Sequence, residues 1–295
     1  MGMRILITGG RGQLGRELQV AFASQTVLAT DEPELDVTDA AAVGRAVDAY
    51  RPGLIIHAAA LTDTRGCEND PALAMRVNGD GTRNITLACR RAGAALLYVG
   101  TNEVFDGAKG EPYLEADEPR AINAYGSSKL AGEQHARFLL QKAYIVRTSW
   151  LYGGGNDFPA KVLQAASGEL PMVTDEVSSP TWAHDLAQAI ARLIERNPPA
   201  GTYHLANDGG CSRFDWAERV LALAGREDVV LRPITLAEYA ERDRKLGRKP
   251  VPKPPFSALA NTAAAALGVV LRPWPEALAE YFATTPAGQP ARTPD

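Results

Sequence analysis

A tyrosine and a lysine four residues apart are the side chains in this sequence best suited to acid–base chemistry. Tyr125 and Lys129 fall in a helical pattern over residues 124–140, and residues at this spacing project from one face of a helix. A free tyrosine has a pKa of about 10, and a neighbouring ammonium favours the phenolate. The spacing predicts a phenol made acidic by Lys129, although the same spacing occurs on many solvated helix faces.

A glycine-rich turn near the start of the chain is the second chemical signal. Gly9, Gly12 and Gly15 lie between a strand pattern (4–8) and a helix pattern (13–22). Glycines at this position let backbone N–H groups and the helix dipole approach a pyrophosphate. The turn predicts a site for NADPH or NADH. Its candidate cofactor-binding residues are Gly9, Arg11, Gly12, Gln13 and Leu14.

Further candidates for cofactor binding follow the second and third predicted strands. Asp31 stands where a Rossmann protein places the acid that binds the adenosine ribose 2′-hydroxyl, which favours NAD. Arg11 could instead pair with a 2′-phosphate, and Asp31 could be an exposed turn residue, so the preference between NADH and NADPH stays open. Asp36 and Val37 are suited to the adenine edge. Ala58, Ala59 and Ala60 are small enough to admit the cofactor, whereas His57 before them is read as a strand-end residue.

The elements that must position these residues alternate between short apolar runs and longer helical patterns. The predicted strands are 4–8, 26–30, 54–57, 95–99 and 144–148, and the predicted helices are 13–22, 40–50, 79–92 and 124–140. The apolar runs lack alternation, as expected of strands covered on both faces. The pattern predicts an α/β fold, a Rossmann-type doubly wound parallel sheet with a smaller mixed α/β substrate lobe.

Residues 1–149 are predicted to form the NAD(P)-binding domain, completed by about 171–200. Residues 150–170 and 201–285 are assigned to the substrate-binding lobe, and 286–295 to a flexible tail. Capping boxes at Ser212…Asp215 and Thr235…Glu238 predict two helices in the lobe. The proline-rich segment 249–255 predicts a rigid extended loop.

Composition excludes several classes of function. The 31 Lys+Arg against 35 Asp+Glu give a net charge of -4 with no long run of one sign, which predicts no nucleic-acid or membrane partner. The sequence shows no secretory leader, which predicts a cytoplasmic protein. Cys67, Cys89 and Cys211 lack the spacing of a disulfide framework or a zinc site, and are predicted to be buried or semi-buried thiols.

Several motifs, in a consistent order, resemble the extended short-chain dehydrogenases/reductases, in particular those that reduce dTDP-linked keto sugars. The motifs are the glycine turn continuing to 18, Asp36-Val37, Asn78 with 81–84, 104–107, 123–133 with Tyr125 and Lys129, 147–152 and 179–186. The resemblance implies hydride transfer from NAD(P)H to the C4 ketone of a dTDP-4-dehydro-6-deoxyhexose, turning dTDP-4-dehydro-L-rhamnose into dTDP-L-rhamnose. It also implies a monomer or homodimer whose partner is the dTDP-linked nucleotide sugar.

The resemblance further implies roles for individual residues. Thr101 would hydrogen-bond the substrate oxygen, Tyr125 would be the general acid, and Lys129 would hold the nicotinamide ribose. The implied substrate-binding residues are Thr101, Asn102, Glu103, Trp150, Phe158 and Lys161. Trp150 could equally be a tryptophan of the core or lobe interface, Phe158 a buried residue and Lys161 a surface residue. Some relatives dimerise through magnesium; Glu17 fits one such position but His184-Asp185 departs from another, so no metal is predicted.

One departure from the family pattern bears on the substrate. The family usually reads Ser-Thr-Asp-Tyr-Val-Phe where residues 100–105 read Gly-Thr-Asn-Glu-Val-Phe. Glu103 would repel a diphosphate, so we expect it either to point away or to bind sugar hydroxyls. The residues leave two alternatives open: a nucleotide-sugar epimerase or dehydratase that retains its NAD, and a regulatory subunit that only binds the dinucleotide.

Overall fold

The computed structural model describes residues 2–165 and 168–284. Twelve strands occur in these ranges: β1 Arg4–Thr8, β2 Thr26–Thr30, β3 Leu54–His57, β4 Ala95–Thr101, β5 Ala143–Thr148, β6 Leu151–Tyr152, β7 Gly168–Val173, β8 Val177–Ser178, β9 Thr181–Trp182, β10 Gly201–His204, β11 Cys211–Ser212 and β12 Val229–Ile234. The tail predicted at 286–295 lies outside the described residues.

Twelve α-helices occur in the same ranges: α1 Gln13–Ala21, α2 Ala40–Tyr50, α3 Thr64–Asn69, α4 Pro71–Ala74, α5 Gly81–Ala92, α6 Ala124–Leu139, α7 Phe158–Leu163, α8 Ala183–Glu195, α9 Arg213–Ala224, α10 Leu236–Lys245, α11 Thr262–Ala265 and α12 Trp274–Thr284. A π-helical turn, Met75–Asp80, leads into α5, and a 3₁₀ turn, Asn102–Val104, follows β4. Of these helices, none is both long and apolar enough to cross a membrane.

Six parallel strands form the central sheet, in the order β10-β5-β4-β3-β1-β2. Ile5 and Ile7 share one core with α1 and α8, whereas Leu6 belongs to the core that contains residues of α2 and α5. Helices therefore cover both faces of β1, and its central residues are fully buried. Each such aliphatic side chain contributes about 1.5–3 kcal/mol of burial free energy, which explains why the strands read as unbroken apolar runs. The predicted α/β Rossmann-type fold is confirmed.

The strand β10 corrects one part of the predicted organisation. Residues 201–204 were assigned to the smaller lobe, but Gly201 pairs with Tyr144 and His204 with Arg147, so the segment is an edge strand of the central sheet. A second difference concerns a candidate catalytic residue: β4 continues two residues beyond the predicted 95–99. Thr101 is thus the last residue of a central strand.

The smaller lobe has its own apolar core, distinct from those of the central sheet. Tyr152, Trp216 and Leu278 are among its buried members, and β7 and β12 pair in parallel beside α9. Both predicted capping boxes are present, at the starts of α9 and α10. Residues 249–255, here called the proline-rich strap, contain no helix or strand, as predicted.

The three cysteines are free and buried, as predicted. Burial raises the pKa of the Cys67 thiol to about 11 and that of Cys89 to about 12, and it also raises the pKa of Cys211. Cys89 lies in a core of the central sheet and Cys211 in the core of the smaller lobe.

Candidate active site

A pocket of about 860 Å³ opens at the carboxyl ends of β1, β3, β4 and β5, where open α/β sheets usually bind ligands. It brings together most of the predicted site residues. Those that line it are Gly9, Gly12, Gln13, Leu14, Asp31, Val37, Ala58, Ala59, Ala60, Thr101, Asn102, Glu103, Tyr125, Lys129, Trp150, Phe158 and Lys161.

The turn between β1 and α1 has room only for glycine at two positions. Gly9 has φ 73°, and a Cβ there would lie 2.6 Å from the backbone nitrogen of Ala59. A Cβ on Gly15 would lie 2.1 Å from the carbonyl oxygen of Gly9. Gly12 caps α1 without a side-chain hydrogen bond, so the first N–H groups of the helix stay available to an anion. The turn has the close approach that a dinucleotide pyrophosphate requires.

At the adenosine end, Asp31 lines the pocket and accepts a 2.9 Å hydrogen bond from the backbone N–H of Arg11. The Arg11 guanidinium turns away to pair with Glu34 and donates to the Glu32 carbonyl at 2.7 Å. Asp36 is exposed and accepts a bond of 2.8 Å from Thr38 N–H. Arg11 and Asp36, predicted to bind the cofactor, are not among the pocket-lining residues. The Arg11 side chain is held by Glu34 and the Glu32 carbonyl, and that of Asp36 by Thr38.

The chemical centre lies where β4 ends against the start of α6. Asn123 caps α6 by accepting a bond of 2.8 Å from Gly126 N–H, which places Tyr125 in the first turn and Lys129 one turn later. A Cβ on Gly126 would lie 2.1 Å from the Glu103 carbonyl oxygen, so only glycine permits this approach. The approach brings Tyr125 and Thr101 together in one pocket, where the Thr101 side chain acts on the phenol.

The electrostatics of this pair differ from the prediction. Burial and the negative charge of Glu103 raise the pKa of Tyr125, and the Thr101 side chain acts in the opposite direction. Burial also lowers the pKa of Lys129 to about 7, while Glu133 acts against that shift. The prediction that Lys129 makes the tyrosine acidic is wrong, because burial is the largest influence on the phenol and raises its pKa.

His57 is a structural residue at the end of β3, as the sequence suggested. Its Nδ1 lies 2.7 Å from Thr8 Oγ1 and its Nε2 lies 3.1 Å from Thr82 Oγ1. Burial, followed by the nearby Lys129 charge, lowers the pKa of His57 to about 3, so the ring is neutral at physiological pH. Both ring nitrogens are occupied, which leaves none for catalysis.

Aromatic rings form the wall of the pocket that faces the smaller lobe. Trp150 follows β5 with φ 39°, a conformation uncommon outside glycine, and stacks on Trp216 with ring centroids 5.5 Å apart. Phe158 stacks on the same Trp216 at 4.3 Å. Trp150 thus faces both the pocket and the core of the smaller lobe, so the two readings of its sequence position are compatible.

Arg213 is a pocket residue that sequence reasoning missed. Its guanidinium carbon lies 3.5 Å from the centre of the Trp150 ring, and its only carboxylate partner among the described residues is Glu176, at 3.5 Å. Lys161 lines the same region. The sequence did not indicate this role, because Arg213 is the first residue of α9 and its surroundings predict only the start of a helix.

Neither residue after Thr101 is free to react. The Asn102 amide donates to the hydroxyls of Ser178 and Ser257 at 3.0 and 2.8 Å. Glu103 is buried, with one carboxylate oxygen 2.6 Å from Asn123 Nδ2 and the other 3.3 Å from Lys253 Nζ. Lys253 is the second residue missed from sequence, since the proline-rich strap reads only as a loop.

Known proteins are similar to this chain along nearly its whole length. Residues 3–286 match the model of the RmlD substrate binding domain. A dTDP-4-dehydrorhamnose reductase of Streptomyces griseus is 39% identical over 290 residues, which cover 95% of this chain and 93% of the relative.

Two solved structures share the fold at similar identity. A dTDP-4-dehydrorhamnose reductase of Clostridium acetobutylicum is 37% identical with a TM-score of 0.89, covering 95% of this chain and 99% of that one. A dTDP-4-dehydrorhamnose reductase of Bacillus anthracis, in complex with NADP, is 35% identical with a TM-score of 0.89, covering 97% and 100%.

Proposed function

The chain belongs to the RmlD substrate-binding-domain family, and from that premise we propose that it reduces the 4-keto group of a dTDP-4-dehydro-6-deoxyhexose with NAD(P)H. The substrate best supported is dTDP-4-dehydro-L-rhamnose, which would yield dTDP-L-rhamnose. The observation that carries the proposal is the meeting of Thr101, Tyr125 and Lys129 in one pocket with the glycine turn.

When bound, the reduced nicotinamide supplies the hydride for the C4 carbon. We assign the ketone oxygen to the hydroxyls of Thr101, the last residue of β4, and Tyr125, which line the same pocket. Because burial keeps the pKa of Tyr125 high, the phenol stays protonated at neutral pH and has a proton to donate to the forming alkoxide. We assign the nicotinamide ribose to Lys129, which is buried one turn further along α6.

The far end of the pocket suits the nucleotide diphosphate. Arg213 and Lys161 contribute positive charge there, and the Trp150 and Phe158 rings provide flat apolar faces. A planar guanidinium can bind phosphate oxygens in a bidentate manner. We therefore assign the diphosphate to Arg213 and Lys161 and the nucleoside to the aromatic wall.

The two alternatives fit the site less well. A dehydratase needs carboxylates free to move protons, but Asn102 is an amide bound to two serines and both oxygens of Glu103 are occupied. A purely regulatory subunit has no use for a tyrosine and a threonine hydroxyl paired beside the glycine turn. Both features favour a reductase.

The test is the stoichiometry of cofactor use. The purified chain is incubated with dTDP-, UDP- and GDP-linked 4-keto-6-deoxysugars and NADH or NADPH, while absorbance of the reduced nicotinamide is followed. We expect one equivalent oxidised per dTDP sugar reduced. An epimerised product with no net oxidation would favour an epimerase instead. The proposals of a monomer or homodimer, of no nucleic-acid partner and of a cytoplasmic location are separate from this test.

A further inference from the structure

The proline-rich strap is attached to the chemical centre by a buried ion pair. Lys253 Nζ lies 3.3 Å from Glu103 Oε1, and both side chains are largely buried, with exposures of 17% and 9%. Lys253 also donates to Thr64 Oγ1 at 3.1 Å. An ion pair shielded from solvent keeps its geometry and its electrostatic effect on neighbours, whereas an exposed pair loses both to water.

Asn123 joins this ion pair to the helix that carries the phenol. Its Nδ2 donates to Glu103 Oε2 at 2.6 Å and to the Pro252 carbonyl at 3.0 Å, while its Oδ1 caps α6. The strap, the turn after Thr101 and the first turn of α6 therefore meet at one side chain. Any movement of Lys253 or Glu103 would be transmitted to Tyr125 two residues further along.

The titratable groups around the Tyr125 hydroxyl come from several elements. Glu103 faces it from the turn after β4, and Cys67 faces it from α3. Glu68, also on α3, accepts a 3.1 Å bond from Ala124 N–H, and Lys129 lies on the same helix as Tyr125. Among these, Glu103 is the carboxylate that acts most strongly on the phenol, and Lys253 is the cation paired with it.

We propose that Lys253 and Glu103 are positioning residues for the reduction: the ammonium compensates the buried carboxylate, holds the strap against the turn after Thr101, and so sets how readily Tyr125 gives up its proton. This inference rests on the proposed function. Neither residue is assigned a contact with the reacting atoms, because both act through Tyr125 and Asn123.

The strap also provides a matched control. Lys249, four residues before Lys253, forms an ion pair of 3.0 Å with Glu68, but its side chain is 57% exposed. Glu68 is 13% exposed, but water reaches the ammonium of Lys249 and screens its charge, so this pair contributes less than a fully shielded one. Lys249→Met therefore removes a lysine from the same strap without removing a buried charge.

The experiment measures kcat against pH for the wild type, Lys253→Met, Lys253→Arg, Glu103→Gln, the double variant Glu103→Gln/Lys253→Met, and Lys249→Met. Lys253→Met leaves the Glu103 carboxylate without its cation, so we expect kcat at neutral pH to fall at least tenfold. We also expect the basic limb of the kcat–pH profile to move to higher pH by about one unit. Glu103→Gln should move the basic limb down. The double variant should return toward the wild type, Lys253→Arg should keep most activity, and Lys249→Met should match the wild type.

Opposite shifts of the two single variants distinguish an electrostatic role from damage to the fold. Wild-type behaviour of Lys253→Met, or shifts of both single variants in the same direction, would overturn the inference. If Lys253→Met does not fold, Glu103→Gln decides. A basic limb at lower pH than in the wild type supports the inference, and a limb at the same pH refutes it. Phenol ionisation, followed by ultraviolet difference absorbance against Tyr125→Phe, tests the pair even if the wild type reduces no keto sugar, an outcome that refutes only the proposed function.

Discussion

The Lys129 ammonium donates a hydrogen bond of 2.7 Å to the carbonyl oxygen of Val99, two residues before Thr101. It also lies 4.4 Å from the centre of the Tyr98 ring. The side chain is buried, and these two contacts do not replace the water that an ammonium prefers, which is why its pKa falls to about 7.

The pKa of Lys129 predicts a pH dependence of stability. Between the folded value of about 7 and the ordinary value of 10.5, the unfolded chain holds a proton that the folded chain has lost. The free energy of unfolding should therefore rise with pH in this window, by at most about 1.4 kcal/mol per pH unit from this group. Urea unfolding of the ligand-free protein from pH 7 to 9 should show the rise for the wild type but not for Lys129→Met. Parallel curves for the two proteins would contradict it.

Replacement of Tyr125 by phenylalanine should lower kcat by several orders of magnitude while leaving NAD(P)H affinity within about twofold, because the proton donor is lost and the packing is kept. Tyr152→Phe is the control. The buried Tyr152 hydroxyl has no hydrogen-bond partner within residues 2–165 and 168–284, so this variant should keep full activity. Steady-state kinetics and cofactor fluorescence titration measure both quantities, and a Tyr125→Phe enzyme of normal turnover would refute the role of the phenol.

Arg213→Ala should weaken binding of dTDP at least tenfold, because a charge-assisted contact worth about 1.5–3 kcal/mol is lost. Arg213→Lys should recover only part of it, since an ammonium cannot stack on Trp150 as a guanidinium does. Arg219→Ala, on the exposed face of α9, should bind as the wild type does. Calorimetric titration with dTDP gives the three affinities; equal values for Arg213→Ala and Arg219→Ala would remove Arg213 from the diphosphate site.

Glu133→Ala should destabilise the fold by about 3–5 kcal/mol, since it leaves a buried guanidinium without its partner. Arg147 donates to Glu133 through Nε at 2.9 Å and Nη2 at 2.6 Å, and both side chains are almost fully buried. Arg137→Ala removes the other cation on Glu133, which is half exposed, and should cost less than about 1 kcal/mol. Urea denaturation measures both changes in the free energy of unfolding. A similarly small loss in the two variants would contradict the claim that the buried ion pair matters more than the exposed one.

Local patterns in the sequence were enough to predict much of the fold and the site. The glycine turn, the first five strands and the Tyr125–Lys129 spacing each depend on neighbours within a few residues, and each appears near its predicted place. The strand β10 could not be found in this way. Its four residues carry no strong strand signal, and they join the central sheet only because β5, more than fifty residues earlier, offers a free edge.

Long-range contacts explain the remaining differences. Arg213 becomes a pocket residue through Trp150, 63 positions earlier, and Lys253 through Glu103, 150 positions earlier. The spacing of Tyr125 and Lys129 correctly indicated a shared helix face, but it contained no information about solvent access. Burial decided the direction of both pKa shifts.

Two of the three buried thiols provide a way to follow the two lobes separately. A thiolate is the reactive form, and the raised pKa values keep Cys89 and Cys211 protonated while the protein is folded. An alkylating reagent would thus modify each of them only during transient opening of its own core. The rate at Cys89 would report opening of the central sheet and the rate at Cys211 opening of the smaller lobe, so mass spectrometry could tell whether a nucleotide sugar stiffens one half or both.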